Sequence, residues 1–274
     1  MKKIIYTTDF SENSIAALKY AYALAPLLEA DLIALHVYSN GELFTGGSHK
    51  KKDREKHLEK LENFCSTHLG EDFNKLDISV AAIKGSKIPA TIFDFVRDLD
   101  VYMLVMGACG TGTLKEVVMG STTKEMLSLS TFPVLAVPSH LDYKPLNRVI
   151  YTSLFYKEDI SNIYELVRIV SPLGVEIEVV HVTDKEEMKS TKRLEKFKKE
   201  VEEKVSYEKV KYRLIFSDKV FEALKSFIDD TRPDMVVMLE RKKKAEISNI
   251  LYRDKVKRMQ TCIQVPILSF PVKT

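Results

Sequence analysis

The chain alternates short, continuous apolar runs with longer stretches in which apolar residues recur every three or four positions. The first pattern is typical of buried β-strands and the second of amphipathic α-helices. In the first half of the chain, strands are predicted at residues 3–8, 31–38, 76–84, 102–106 and 133–137. Helices are predicted at residues 11–29, 51–69 and 88–98, with a fourth that begins near residue 120. Strands that alternate with helices predict a parallel sheet with helices on both faces.

The same order of elements starts again in the second half. Ile-Ile-Tyr-Thr-Thr at residues 4–8 matches Val-Ile-Tyr-Thr-Ser at residues 149–153, an offset of 145 residues. His36-Val37 matches His181-Val182 at the same offset. After the second strand the offset falls to 132, so the second copy has a shorter middle. Such self-similarity predicts a tandem duplication.

The duplication sets the predicted fold class and domain organisation. The fold class is α/β, with two tandem copies of an open five-stranded parallel sheet that has helices on both faces. A polar, proline-containing connector at residues 139–145 separates the copies. We therefore expect one domain at residues 1–140 and a second at residues 146–274. The polar stretch 39–52 is predicted to link a strand to a helix in the first copy.

Glycines follow the predicted fourth strand. Gly107, Gly110 and Gly120-Ser121 form the pattern Gly-x2-Gly-x9-Gly-Ser before the last strand of the first copy. Glycine lets the backbone adopt a positive φ and approach a ligand closely. The helix predicted here, with Ser121 or Thr122 as its cap, would present unpaired N–H groups that bind an anion. The pattern is neither a Walker A loop nor a dinucleotide fingerprint. It predicts a phosphate-binding site.

The second copy keeps the strands but loses these special positions. Its replacements are Leu154 for Asp9, Tyr156 for Ser11, Leu239 for Gly107 and Lys242 for Gly110. A bulky residue at a left-handed backbone position costs roughly 1–2 kcal/mol and blocks the approach of a ligand. We therefore expect one phosphate site per chain, in the first copy. The basic run Arg241–Lys244 takes the place of the lost loop, either as an anion contact or as a solvated charged loop.

Composition and charge narrow the function only a little. The 274 residues are 45% hydrophobic and carry 42 basic and 39 acidic side chains, for a net charge of +3. Such a mixed surface gives no indication of nucleic-acid binding. No apolar run reaches membrane-spanning length, and residues 1–6 pass directly into a strand without a signal-peptide pattern. We therefore expect a cytoplasmic protein without a membrane partner.

Cysteine and histidine do not predict a metal site. Cys65, Cys109 and Cys262 are odd in number and widely spaced, which favours reduced thiols over disulfides or metal ligands. Cys109 lies inside the glycine loop, where it is either redox-sensitive or a small residue that fits. His36 and His181 repeat at strand ends without a second ligand at metal spacing. We expect both histidines to pack or to bond the backbone.

Three elements of the first copy carry a resemblance to a known family. They are Asp9-Phe10-Ser11-Glu12 after the first strand, His36-Val37 at the end of the second, and the glycine pattern that ends at Gly120-Ser121. In this order they resemble the universal stress protein (UspA-like) family, in its tandem two-domain form. The resemblance covers nearly the whole chain, but in the second copy only the strand framework matches. It implies the adenine nucleotide α-hydrolase-like fold and ATP as a ligand, with or without Mg²⁺.

The resemblance also implies roles for residues of the first copy. Asp9 and the backbone of Val37 would contact the adenosine part of the nucleotide, and Thr8 is expected among the nucleotide-binding residues. The residues expected at the ribose and the phosphates are Gly107, Gly110, Gly120, Ser121 and Thr122. The two copies would pair within the chain through their last strands, and a further homodimer is left open.

Three functions fit these observations. The first is a nucleotide-dependent regulatory protein of the stress response. The second is a slow ATPase or autophosphorylating enzyme, for which Lys115 and Glu116 are the nearby candidates for a chemical role. The third is an interaction module that binds no nucleotide. The intact glycine pattern favours the first function for the first copy.

Overall fold

The computed structural model describes residues 2–39, 47–108, 119–184, 187–239 and 264–271. The chain divides into two units, Met1–Tyr143 and Lys144–Thr274. Several residues named above lie outside the described residues: Cys109, Gly110, Lys115, Glu116, Cys262, the basic run 241–244 and positions 40–46 of the linker.

The first unit is an α/β sheet of five parallel strands. Its strands are β1 (Lys3–Thr7), β2 (Asp31–Tyr38), β3 (Ile78–Lys84), β4 (Val101–Gly107) and β5 (Val134–Val137). Its helices are α1 (Ile15–Leu27), α2 (Gly47–Leu69), α3 (Ile88–Val96) and α4 (Ser121–Leu129). The strands pair in the order β3-β2-β1-β4-β5, and every pair is parallel.

The helices of the first unit lie on both faces of its sheet. Helices α1 and α2 contact each other on one face, and α3 and α4 contact each other on the other. Strand β2 shows the alternation. The ring of His36 faces α2, where it lies near His57, whereas Leu35 and Val37 share a cleft with Ile88 of α3. Side chains of successive strand residues point to opposite faces, so β2 supplies both layers of the core.

The second unit repeats this architecture. Its strands are β6 (Arg148–Thr152), β7 (Glu176–Thr183), β8 (Val210–Phe216), β9 (Met235–Leu239) and β10 (Ile267–Phe270). Its helices are α5 (Lys157–Val170), α6 (Glu187–Glu202) and α7 (Val220–Thr231). The parallel order β10-β9-β6-β7-β8 matches that of the first unit. The predicted fold class, two tandem five-stranded parallel sheets, is confirmed.

Two predicted boundaries around α2 are wrong. The helix begins at Gly47, four residues before the predicted start at Lys51. It ends at Leu69 because Gly70 has a left-handed φ of 58°, the usual conformation just beyond a helix. A 3₁₀ turn then spans Gly70–Lys75, so β3 begins at Ile78 rather than at residue 76.

Two further properties concern the described part of the chain only. None of its helices is both long and apolar enough to cross a membrane. None of its His, Cys, Asp and Glu side chains forms a group of three or more that could hold a metal ion.

Candidate functional site

Seven of the eight residues proposed from the sequence line one cleft in the first unit. These residues are Thr8, Asp9, Val37, Gly107, Gly120, Ser121 and Thr122. The eighth, Gly110, lies outside the described residues. We call this site the first-copy cleft. Its lining comes from segments that are far apart in sequence: the loop after β1, the end of β2, the first turns of α3, the end of β4 and the start of α4.

Sheet topology explains why these segments meet. Strand β1 pairs with β2 on one side and with β4 on the other, and all three strands run in the same direction. Their carboxyl ends therefore lie at one edge of the sheet. Because the chain leaves β1 and β4 toward opposite faces, a crevice opens between them, which is where open α/β sheets bind ligands.

The loop after β1 is shaped by short polar side chains. The exposed Asp9 carboxylate accepts hydrogen bonds from the Ser11 amide (3.0 Å) and the Ser11 hydroxyl (2.5 Å). Beneath it, the Thr8 and Ser14 hydroxyl oxygens are 2.7 Å apart, and Thr8 Oγ1 accepts a bond from the Phe10 amide at 2.9 Å. Phe10 itself has a left-handed φ of 65°. These bonds turn the loop so that Asp9 stands at the mouth of the cleft.

The floor of the cleft is apolar, which the sequence analysis did not predict. It is formed by Leu35, Ile88, Ile92 and Met106 together with Val37. The signal available in the sequence was the spacing of Ile88 and Ile92, which places both on one face of α3. Ile88 is 39% exposed although it is apolar. A flat aromatic ring can bury such a surface, so the floor provides an apolar subsite beside the polar loop.

Gly107 is required for a reason other than the one expected. A Cβ at Gly107 would lie 2.5 Å from the Asn13 backbone oxygen, closer than a real Cβ approaches. Among the described glycines, positive φ occurs at Gly70 and Gly174, not at Gly107 or Gly120. The expectation that φ is positive in the glycine pattern is therefore wrong for these two residues. Gly107 serves a close approach between β4 and the chain before α1.

The cap of α4 also differs from the expectation. Gly120 is the N-cap, with φ of −58°, and its carbonyl oxygen accepts the Lys124 amide at 2.9 Å. Ser121 and Thr122 are therefore the first two residues inside the helix, not its caps. Glycine is an accepted N-cap residue, and it leaves no side-chain oxygen to bond the first amides of the helix.

The start of α4 presents an anion-binding environment to the cleft. The first amides of a helix have no partner within the helix and carry a partial positive charge. The first turn contains no acidic residue. Thr123 fixes this turn to the sheet, because its hydroxyl donates to the Gly107 carbonyl at 2.9 Å. The hydroxyls of Ser121 and Thr122 line the same wall of the cleft.

His36 bonds the backbone, as expected. Its Nδ1 lies 2.8 Å from the Thr8 carbonyl oxygen, which can only accept, so Nδ1 carries the proton. Its ring also packs on Phe10, with centroids 4.1 Å apart. Burial lowers the pKa of His36 below its ordinary value of 6.5, and the nearby His57 and Lys60 lower this pKa further. The hydrogen bond to the Thr8 carbonyl raises it, but by less than burial lowers it. His36 is therefore neutral at neutral pH.

In the second unit, the loop after β6 is hydrogen-bonded to a buried carboxylate from the start of α5. Asp159, at the position of Ser14, is fully buried. Its Oδ2 accepts the Leu154 amide (3.1 Å), the Tyr156 amide (3.0 Å) and the Ser153 hydroxyl (2.9 Å). Its Oδ1 accepts the Tyr151 hydroxyl at 3.1 Å. Since Leu154 stands where the first copy has Asp9, the loop carboxylate of this unit lies beneath the loop instead of at its surface.

The comparisons with known proteins agree with this architecture. The sequence model of the universal stress protein family matches residues 1–138. Universal stress protein MJ0577 of Methanocaldococcus jannaschii is 31% identical over 162 residues, which covers 50% of this chain and 94% of that protein. A solved universal stress protein from Archaeoglobus fulgidus covers 99% of this chain and 98% of its own, with a TM-score of 0.73 and 15% identity. A putative universal stress protein from Pseudomonas aeruginosa covers 99% and 93%, with a TM-score of 0.65 and 12% identity.

These two solved structures show the fold of both copies. At 15% and 12% identity they show nothing about function. The sequence match, in contrast, spans half of the chain and includes every described residue of the first-copy cleft. On that match, the chain belongs to the universal stress protein family.

Proposed function

We propose that the first-copy cleft binds one adenine nucleotide, ATP, and that the protein acts as a nucleotide-dependent regulator in the stress response. The observation that carries the proposal is the convergence of three sequence motifs on one cleft. The motifs contribute different chemistry. The loop after β1 offers a carboxylate, the floor offers an apolar surface, and the start of α4 offers amides and hydroxyls.

In this proposal each part of ATP contacts a different surface of the cleft. The phosphates lie at the start of α4, where backbone amides and the hydroxyls of Ser121 and Thr122 donate to them. The adenine ring lies on the apolar floor beside Val37. The Asp9 carboxylate is an acceptor only, so it pairs with an amino or hydroxyl group of the adenosine. Mg²⁺ would be held by phosphate oxygens and water, as is usual for this ion.

A charge placed at the start of α4 tests the phosphate assignment. Ser121→Asp adds a negative charge next to the proposed phosphates, and the same charge favours the helix dipole. We expect ATP affinity to fall at least about tenfold while the thermal midpoint stays the same or rises. The control is Thr131→Asp, which adds the same charge at an exposed position beyond the other end of α4.

The assay is a calorimetric titration of nucleotide-stripped protein with Mg-ATP. One site per chain, weakened by Ser121→Asp but not by Thr131→Asp, would support the proposal. Equal affinity in all three proteins would refute the phosphate assignment. Asp9→Ala should weaken ATP more than GTP if the carboxylate reads the base. Absence of any binding would favour a protein-interaction module instead.

Several expectations stay predictions. They are the division into a nucleotide-binding first copy and a degenerate second copy, the pairing of the copies through their last strands, a further homodimer, and cytoplasmic location. The enzymatic alternative, a slow ATPase, rests on Lys115 and Glu116, which lie outside the described residues.

A further inference from the structure

Each copy holds the peptide after its first strand with a histidine from its second strand. In the first copy, His36 Nδ1 donates to the Thr8 carbonyl at 2.8 Å. In the second copy, His181 Nδ1 donates to the Ser153 carbonyl at 2.7 Å. Both histidines are only 8% exposed. The same contact thus occurs in both copies, although Leu154 and Asp159 replace Asp9 and Ser14 in the second.

An aromatic residue with unusual backbone geometry belongs to the same arrangement. Phe10 and Phe155 both have left-handed φ angles, 65° and 57°. Each ring packs on its histidine, with centroids 4.1 Å apart in the first copy and 4.5 Å in the second. A left-handed phenylalanine is disfavoured by its own backbone and persists only where its surroundings hold it. The histidine and the phenylalanine together therefore fix the loop.

We call the peptide whose carbonyl accepts the histidine bond the clamped peptide. The direction of its N–H follows from its planarity. In a trans peptide the C=O and the following N–H point in opposite directions. In the second copy, the Ser153 carbonyl points to His181, and the Leu154 N–H on the same peptide points the other way and donates to Asp159 at 3.1 Å. That amide is thus presented to an oxygen acceptor. The structure of the second copy shows what the clamped peptide binds.

The corresponding amide of the first copy, the Asp9 N–H, has different neighbours. The carbonyl of the same peptide, that of Thr8, points to His36, so the Asp9 N–H points away from His36. The equivalent Leu154 N–H points to Asp159, whose position Ser14 takes in the first copy. Ser14 replaces the Asp159 carboxylate with a short hydroxyl. Thr8, Asp9 and Ser14 all line the first-copy cleft. The peptide therefore presents its N–H on the side of the cleft.

We propose that His36 is a positioning residue that holds the Thr8–Asp9 peptide so that the Asp9 N–H donates to an acceptor atom of the bound nucleotide. The inference rests on the proposed nucleotide site. In the second copy the Asp159 carboxylate supplies that acceptor from within the chain, so His181 performs the same clamping without a ligand. The two clamped peptides face different surroundings, a cleft in the first copy and the Asp159 carboxylate in the second.

This difference provides a matched pair of variants. His36→Leu and His181→Leu remove the same hydrogen bond from equivalent loops. His36→Asn is the conservative rescue, because its Nδ2 stands the same number of bonds from the backbone as His Nδ1 and also donates. Nucleotide affinity is measured by calorimetric titration with Mg-ATP, and folding by the thermal midpoint of each variant.

We expect both leucine variants to lower the thermal midpoint by similar amounts, while only His36→Leu weakens ATP, by about tenfold. His36→Asn should restore the affinity to within about threefold of the unaltered chain. A fall in affinity for His181→Leu as large as for His36→Leu would overturn the inference, as would unchanged affinity in His36→Leu. Failure of His36→Asn to restore binding would show that the hydrogen bond is not the cause.

A second measurement tests the clamp without nucleotide. Hydrogen exchange of the Leu154 amide should be slow in the unaltered chain and accelerate in His181→Leu, because the clamped peptide loses its direction toward Asp159. Slow exchange in both proteins would overturn the clamp itself. If the Leu154 amide responds as expected but the unaltered chain binds no ATP, the proposed function and the role of His36 toward a nucleotide both fall, and the clamp remains.

Discussion

Asp159→Ala should destabilise the second copy far more than Ser14→Ala destabilises the first, although the two residues occupy equivalent positions. The fully buried Asp159 carboxylate accepts two backbone amides and two hydroxyls. The buried Ser14 hydroxyl contacts the Thr8 hydroxyl and donates to the Ser11 carbonyl. Alanine at position 159 leaves donors without an acceptor, whereas alanine at position 14 removes a single neutral hydroxyl.

The size of the difference follows from these contacts. A hydrogen bond to a charged group contributes about 1.5–3 kcal/mol, and removing one partner of a buried charged network costs about 3–5 kcal/mol. Alanine also removes the unfavourable free energy of burying the Asp159 charge, so the net loss is smaller than the sum of four hydrogen bonds. We expect Asp159→Ala to lower the free energy of unfolding by about 3–5 kcal/mol. Ser14→Ala should cost about 1 kcal/mol. Asp159→Asn should fall between them, because one amide oxygen can still accept the two backbone amides.

The assay must report on each copy separately. The chain has no tryptophan, so intrinsic tryptophan fluorescence is not available as a probe. Hydrogen exchange followed by mass spectrometry measures opening free energies in peptides of β6 and β7 for Asp159→Ala, and of β1 and β2 for Ser14→Ala. A cost below about 1 kcal/mol for Asp159→Ala, or equal costs in both copies, would refute the reasoning.

Three other variants or conditions give separate tests. Gly107→Ala places a Cβ 2.5 Å from the Asn13 oxygen and should cost about 1–3 kcal/mol in a denaturation experiment; an unchanged midpoint would contradict the close approach. Because burial lowers the pKa of His36 below 6.5, the unfolded chain binds the extra proton first as the pH falls. The stability from neutral His36 should be complete above pH 6.5 and be lost below it, and His36→Asn should flatten this part of the profile. Burial raises the pKa of the Cys65 thiol to about 12, so peptide mapping after iodoacetamide treatment at pH 8 should find Cys65 unmodified in the native protein and modified after denaturation.

The strands of both copies were predictable because their signal is local. Residues 149–152 are apolar or β-branched and all buried, and the same holds for most of β1. The convergence of Asp9, Val37 and Gly120 was predictable too, since parallel strands bring their carboxyl ends to one edge of the sheet. What failed was local detail. At α4, for example, the choice between Gly120 and Ser121 as cap depends on which carbonyl accepts the first helical bond.

The network around Asp159 could not be read from the chain. The offset of 145 residues pairs Ser14 with Asp159, so the substitution itself is visible in the sequence. Its consequence depends on where four donors point, and two of these are backbone amides that any residue would supply. The apolar floor was missed for a similar reason: Ile88 and Ile92 have the spacing of ordinary core residues, and only the position of α3 beside the cleft distinguishes them.

The left-handed Phe10 links the cleft to the surface of the protein. Its ring lies against Phe64 and under the Lys60 ammonium, and both of these residues belong to α2. If α2 undocks, Phe10 loses these two contacts, which together with His36 hold it against its own backbone preference, and the loop that carries Asp9 is held less firmly. The cleft wall and α2 thus form one cooperative unit. Any molecule that requires this shape of the loop therefore also favours the docked helix, because it binds the docked state more tightly than the undocked one.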